Sequence, residues 1–117
     1  MKLNPLGKSS IRISEISLGC MSLKGDQLDT DLVIGRALDC GVNFFDTADL
    51  YEFGRNEKLL ANALQDKRKD VIIATKVGNE WGQGIDGWRW NPTKEYILKA
   101  VDASLNRLKT DYIDLYQ

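Results

Sequence analysis

Three side chains of different chemistry stand where they could act on one proton. Asp46 closes the strand-like segment Val42 to Phe45, Tyr51 comes five residues later, and Lys76 follows Val71-Ile72-Ile73-Ala74-Thr75. A free phenol, with a pKa of about 10, is a sluggish acid or base near neutrality. A neighbouring ammonium favours the phenolate, and a carboxylate beside that ammonium holds it in place. A phenol tuned in this way can give a proton to a carbonyl oxygen while hydride reaches the carbon. No side chain delivers hydride, so the trio implies a nicotinamide cofactor. Each residue also has a plainer reading: Asp46 as a helix cap, Tyr51 packed on a loop, Lys76 as a solvated strand end. Taken singly the plainer readings are favoured, but the combination at two adjacent strand ends outweighs them.

The elements that would position these residues alternate. Leu3–Leu6 and Ile11–Ile13 flank the turn-like Gly7-Lys8-Ser9-Ser10, which predicts a hairpin. Ile16–Leu18 predicts a first parallel strand. Asp29 as cap and Gly41 as terminator bracket a first helix, with Val33, Ala37 and Cys40 on its apolar face beside Ile34 and Leu38. Val42–Phe45 reads as the second strand. Leu59, Leu60, Ala63 and Leu64 stripe a second helix, followed by the cations Lys67, Arg68 and Lys69. Val71–Ala74, apolar throughout, reads as a strand buried on both faces. After the Gly- and Trp-rich loop Val77–Asn91, Asn91 and Pro92 open a third helix faced by Ile97, Val101, Leu105 and Leu108. Tyr112–Tyr116 is the fourth strand. Strands recurring at the roughly 30-residue interval of a βαβ unit imply right-handed crossovers and a parallel sheet. The fold class is therefore α/β: an N-terminal hairpin plus (βα)₃ and a fourth strand. This is either half of a (β/α)₈ barrel, whose full length is typically ~250 residues, or an open doubly wound sheet of flavodoxin type. The latter ranks last, because no phosphate loop follows the first strand.

Composition narrows the function classes. The 117 residues are 43% hydrophobic and 28% charged, enough for one small folded domain. A net charge of −1 provides no basic field for nucleic acid. No run approaches the ~20 apolar residues of a membrane span, and residues 1–14 lack the apolar core of a signal peptide, so the default location is cytoplasmic. Cys20 and Cys40 make no metal or redox motif and read as reduced, partly buried thiols; no metal site is expected. With no histidine in the chain, acid–base chemistry falls to Asp, Glu, Lys, Tyr or Cys. Gly82-Gln83-Gly84-Ile85-Asp86-Gly87 matches G-x-G-x-x-G literally, but it neither leaves a strand directly nor opens a helix, so a dinucleotide fingerprint is rejected. Trp81, Trp88 and Trp90 could line an aromatic substrate pocket or cover core, with the pocket reading slightly favoured for Trp81.

Several motifs carry a resemblance. Phe45-Asp46-Thr47-Ala48-x-x-Tyr51 with Gly54-Arg55-Asn56-Glu57 resembles the signature of the aldo-keto reductase family. Ala74-Thr75-Lys76 resembles its lysine strand, and Ser104-Leu105-x-x-Leu108-x-x-Asp111-Tyr112-Ile113-Asp114-Leu115-Tyr116 resembles its approach to the fourth strand. The hairpin and Leu18-Gly19-Cys20-Met21 fit as well, so the likeness covers essentially the whole chain. It implies a (β/α)₈ barrel and NAD(P)H-dependent reduction of aldehydes or ketones, with NADPH as the cofactor expected here and a small carbonyl compound as substrate. It also implies a catalytic tetrad of Asp, Tyr, Lys and His, of which Asp46, Tyr51 and Lys76 would be the first three. Tyr51 would donate the proton, and Gly19, Met21 and Asp46 would touch the nicotinamide ribose side. The family's histidine and most of its cofactor contacts belong to a segment after the fourth strand. The expectation is therefore a front half-barrel, inactive by itself, with open edges prone to self-association. The alternative is a non-catalytic half-barrel that acts only by associating with another chain.

Overall fold

The computed structural model describes all 117 residues. Strands β1 (Leu3–Pro5) and β2 (Arg12–Ser14) pair antiparallel as the expected hairpin. Its end is bolted to the sheet through Asn43: the Ser14 N–H donates to Asn43 Oδ1 at 2.6 Å, and Asn43 Nδ2 donates to the Arg12 carbonyl. Then come β3 (Leu18–Gly19), α1 (Gln27–Asp39), β4 (Phe44–Asp46), a 3₁₀ turn (Tyr51–Gly54) and α2 (Arg55–Leu64). A second 3₁₀ turn (Arg68–Asp70) leads to β5 (Ile72–Thr75), and α3 (Lys94–Leu108) and β8 (Leu115–Tyr116) close the chain.

The sheet order β3-β4-β5-β8 is parallel throughout and follows the chain. A doubly wound sheet reverses direction at a switch point. This one never does, which is the winding of a barrel wall. Neighbouring helices pack in sequence, α1 on α2 and α2 on α3. Phe45 and Ile73 pair in register and face the helices, forming the core with Cys20, Ile34, Leu60, Leu64 and Leu108. By the period-2 alternation of strands, Asp46 faces the other way. Arg68 pins β8 beside β5: its guanidinium donates to Asp114 Oδ2 at 2.8 Å, and that same oxygen accepts from the Ile73 N–H.

The boundaries differ from expectation in ways with local causes. Asp26, not Asp29, caps α1, accepting from the Asp29 N–H at 2.9 Å; Gly41 follows that helix with φ +84, as its terminating role requires. Val33 and Cys40 are exposed, because the buried side of α1 runs through Thr30 and Ile34 instead. Cys20 is buried and free. Thr93, rather than Asn91 with Pro92, caps α3 by accepting from the Tyr96 N–H. Asn91 is occupied by Glu80, and Arg68 of the cation run by Asp114. The loop Val77–Asn91 contains a small hairpin, β6 (Asn79–Glu80) with β7 (Arg89–Trp90), which no alternation in the sequence announced. Glu80 closes it across to Arg89 at 2.7 Å, and that bond lowers the Glu80 pKa. No helix is long and apolar enough to cross a membrane.

Candidate active site

The residues expected to act sit at the C-terminal ends of β3, β4 and β5. Strand β5 delivers Lys76 and β4 delivers Asp46, and the ammonium donates to Asp46 Oδ1 at 2.7 Å and to the Thr47 carbonyl at 2.8 Å. Each of the two side chains is 33% exposed, so the pair opens toward the barrel mouth. Tyr51 arrives on the turn that follows β4, and its ring centroid lies 5.3 Å from Lys76 Nζ. The structure thus brings together the three residues expected to converge. The terminal Gln117 stands beside them, its Nε2 3.5 Å from Asp46 Oδ1.

The turn that presents Tyr51 has an unusual backbone. Glu52 (φ 51, ψ 33) and Phe53 (φ 48, ψ 53) are left-handed, and Gly54 follows at φ +85. Consecutive left-handed residues other than glycine are sparsely populated and cluster at functional sites. Their effect here is to reverse the chain between Tyr51 and α2. The Tyr51 N–H donates to the Ala48 carbonyl and the Phe53 N–H to the Leu50 carbonyl.

Gly19 pairs with Asp46 in the parallel ladder, and a side chain built at Gly19 would meet nothing within 4 Å. Met21, next along, is 59% exposed. Between them, Cys20 is fully buried, and burial with the nearby Asp46 charge pushes its thiol up to about 12. It is core, not a nucleophile.

Trp81 does not join the trio. It lies behind the Tyr51 turn, edge-on to Phe53 with centroids 5.7 Å apart. There it lines a cavity of about 170 Å³ together with Asp49, Tyr96 and Arg107. Trp88 and Trp90 are exposed.

Behind the sheet lies a network the sequence reading missed. Thr47 Oγ1 donates to Asn56 Oδ1 at 2.7 Å, and Asn56 Nδ2 donates to the carbonyls of Cys20 and Leu23. Thr75 Oγ1 donates to Glu57 Oε1 at 2.7 Å, and Arg107 Nε donates to Glu57 Oε2 at 2.6 Å. Asn56 and Glu57 are fully buried, so the residues flanking Asp46 and Lys76 are anchored to α2. Asp49, 3% exposed, has its pKa raised to about 6, first by burial and then by the Glu57 charge, against the opposing pull of Arg107.

The pattern of the Aldo/keto reductase family matches residues 15–117. The chain belongs to that family. It is 51% identical over its whole length to the "Uncharacterized oxidoreductase YqkF" of Bacillus subtilis, of which it covers 38%. It is 35% identical to "Aldo-keto reductase YhdN" of the same organism, covering 37% of it. Among solved structures, the holo form of an aldo-keto reductase from Bacillus halodurans superposes with a TM-score of 0.96 at 50% identity, over all of this chain and 39% of that one. The apo form of that reductase gives 0.75. A glycerol dehydrogenase from Gluconobacter oxydans gives 0.84 at 31% identity, over 98% of this chain and 38% of that one. The chain thus spans somewhat over a third of the length of its relatives, and its fold is the first half of their barrel.

Proposed function

We propose that Asp46, Tyr51 and Lys76 are the proton-donating part of an NADPH-dependent reductase of aldehydes or ketones. The observation that carries this reading is the Lys76 ammonium, held by Asp46 and facing the Tyr51 ring. The cofactor would supply hydride. Tyr51 gives a proton to the carbonyl oxygen, Lys76 supports the charge left on the phenol, and Asp46 fixes Lys76. Gly19 and Met21 leave room for the nicotinamide ribose side. The substrate is a small carbonyl compound, and the setting is cytoplasmic.

These 117 residues alone contribute four strands of the barrel and no histidine, so the reading gives them weak cofactor binding and no turnover. The open edges of β3 and β8 favour pairing with another chain, including a second copy; a cooperatively folded monomer in sedimentation would contradict this. Titration with NADPH, followed by quenching of the three tryptophans, tests the cofactor claim. No saturation at high micromolar cofactor is expected. Tight, saturable binding would show that the 117 residues build a whole cofactor site. A purely associative half-barrel is the second reading, favoured by those same edges.

A further inference from the structure

A second charged cluster lies on the helix side of the sheet, and the proposed reduction does not use it. Asp49 and Glu57 bracket the Tyr51 turn in sequence, one just before it and one just after, and both are buried. Two buried carboxylates flanking one turn repel each other, and the strain is relieved by a proton on one of them or by a cation between them. The cation present is Arg107. Its Nε donates to Glu57 at 2.6 Å, and its charge also acts on Asp49. Arg107 touches the turn in two further ways. A side chain at Gly54 would lie 2.8 Å from Arg107 Cδ, so the stem of the arginine packs directly on that glycine. The guanidinium sits 5.6 Å from the centroid of Trp81, whose ring meets Phe53 of the same turn.

We propose that Arg107 is a positioning residue. Its guanidinium neutralises the carboxylate pair Asp49 and Glu57 while its stem backs Gly54, and together these hold the left-handed segment Glu52–Gly54 that aims Tyr51 at Lys76. The assignment rests on Tyr51 being the proton donor of the proposed reaction. The groups facing Asp49 are Glu57 on α2, Arg107 and Tyr96 on α3 and Tyr116 on β8, and Arg107 is the cation among them. Glu80 and Lys99 line the same cavity farther along.

Amide hydrogen exchange on the 117-residue chain tests this, with protection at Tyr51 and Phe53 compared against the amides of β4 and β5. Arg107→Gln at neutral pH is expected to lower protection in the turn roughly tenfold more than in the sheet, on the scale of local opening. The nuclear Overhauser contact between the Tyr51 ring and the Lys76 side chain should weaken with it. Acidification to about pH 5, where Asp49 holds its proton, should restore much of the loss, as should adding Glu57→Gln. Arg107→Lys keeps the charge and is expected to hold the turn within a few fold of wild type at either pH; if the glutamine variant fails to fold, this variant decides alone. Equal loss in turn and sheet overturns the proposal. So does a turn loss that neither acid nor Glu57→Gln relieves, or a lysine variant whose turn is as open as the glutamine variant's. None of these readouts needs cofactor or substrate, so their failure and a failure to reduce carbonyls are separately visible.

Discussion

Two ion pairs occupy the same end of the sheet on opposite faces. On the barrel side, Asp46 and Lys76 meet at 2.7 Å with a third of each side chain open. On the helix side, Glu57 and Arg107 meet at 2.6 Å with side-chain exposures of 0% and 15%. A partly open pair contributes little to stability and stays available to a ligand. A buried pair costs desolvation to form and much more to break singly, so it behaves as a fixed strut. The short strand ends Asp46–Thr47 and Thr75–Lys76 connect the two, each sending one side chain to either face. The Asp46–Lys76 pair is thus carried on residues whose immediate neighbours are tied down from behind.

Removing half of the buried strut is the largest break in that comparison. Glu57→Ala leaves Arg107 and the Thr75 hydroxyl without their partner, at an expected cost of about 3–5 kcal/mol, read in urea denaturation. A smaller effect follows from Asp49. Its folded pKa, near 6, lies above the usual carboxylate value of 3.8, so the folded state holds the proton more tightly. This group's contribution is therefore fully favourable below about pH 4, fades as pH rises through 6 and is lost above. Asp49→Asn should remove this pH dependence and stabilise the chain at neutral pH by about 1–3 kcal/mol. Stability profiles of the two proteins that stay parallel from pH 4 to pH 8 would refute it. Least affected should be the stability of Lys76→Met, which breaks the open pair and lowers the unfolding free energy by no more than about 1 kcal/mol. A cost as large as that of Glu57→Ala would erase the distinction between the two faces.

Much of the fold was legible because its signals are local. The apolar run Val71–Ala74, the Asp46–Tyr51 spacing and Lys76 at a strand end are enough to bring three residues to one barrel mouth. The caps were read two or three residues off, Asp29 for Asp26 and Asn91 for Thr93, because residues of these types can each satisfy the first turn of a helix. The Glu57–Arg107 pair was not legible. Its partners lie far apart in the chain, and an arginine on an amphipathic helix ordinarily reads as a solvated face. The β6–β7 hairpin escaped for a related reason: Glu80 contacts Arg89 and Asn91 across a glycine-rich loop with no strand periodicity.

The proposed reduction stands on Tyr51 giving the proton. Joining the 117 residues to the remaining part of the Bacillus subtilis oxidoreductase they match at 51% identity would yield a complete barrel, and NADPH oxidation with a panel of small aldehydes and ketones would measure its activity. The expected result is carbonyl reduction that falls at least about a hundredfold in Tyr51→Phe, the scale of a lost general acid, with NADPH binding unchanged. Reduction that survives Tyr51→Phe undiminished would contradict the assignment of Tyr51 and, with it, the role given to Lys76 and Asp46.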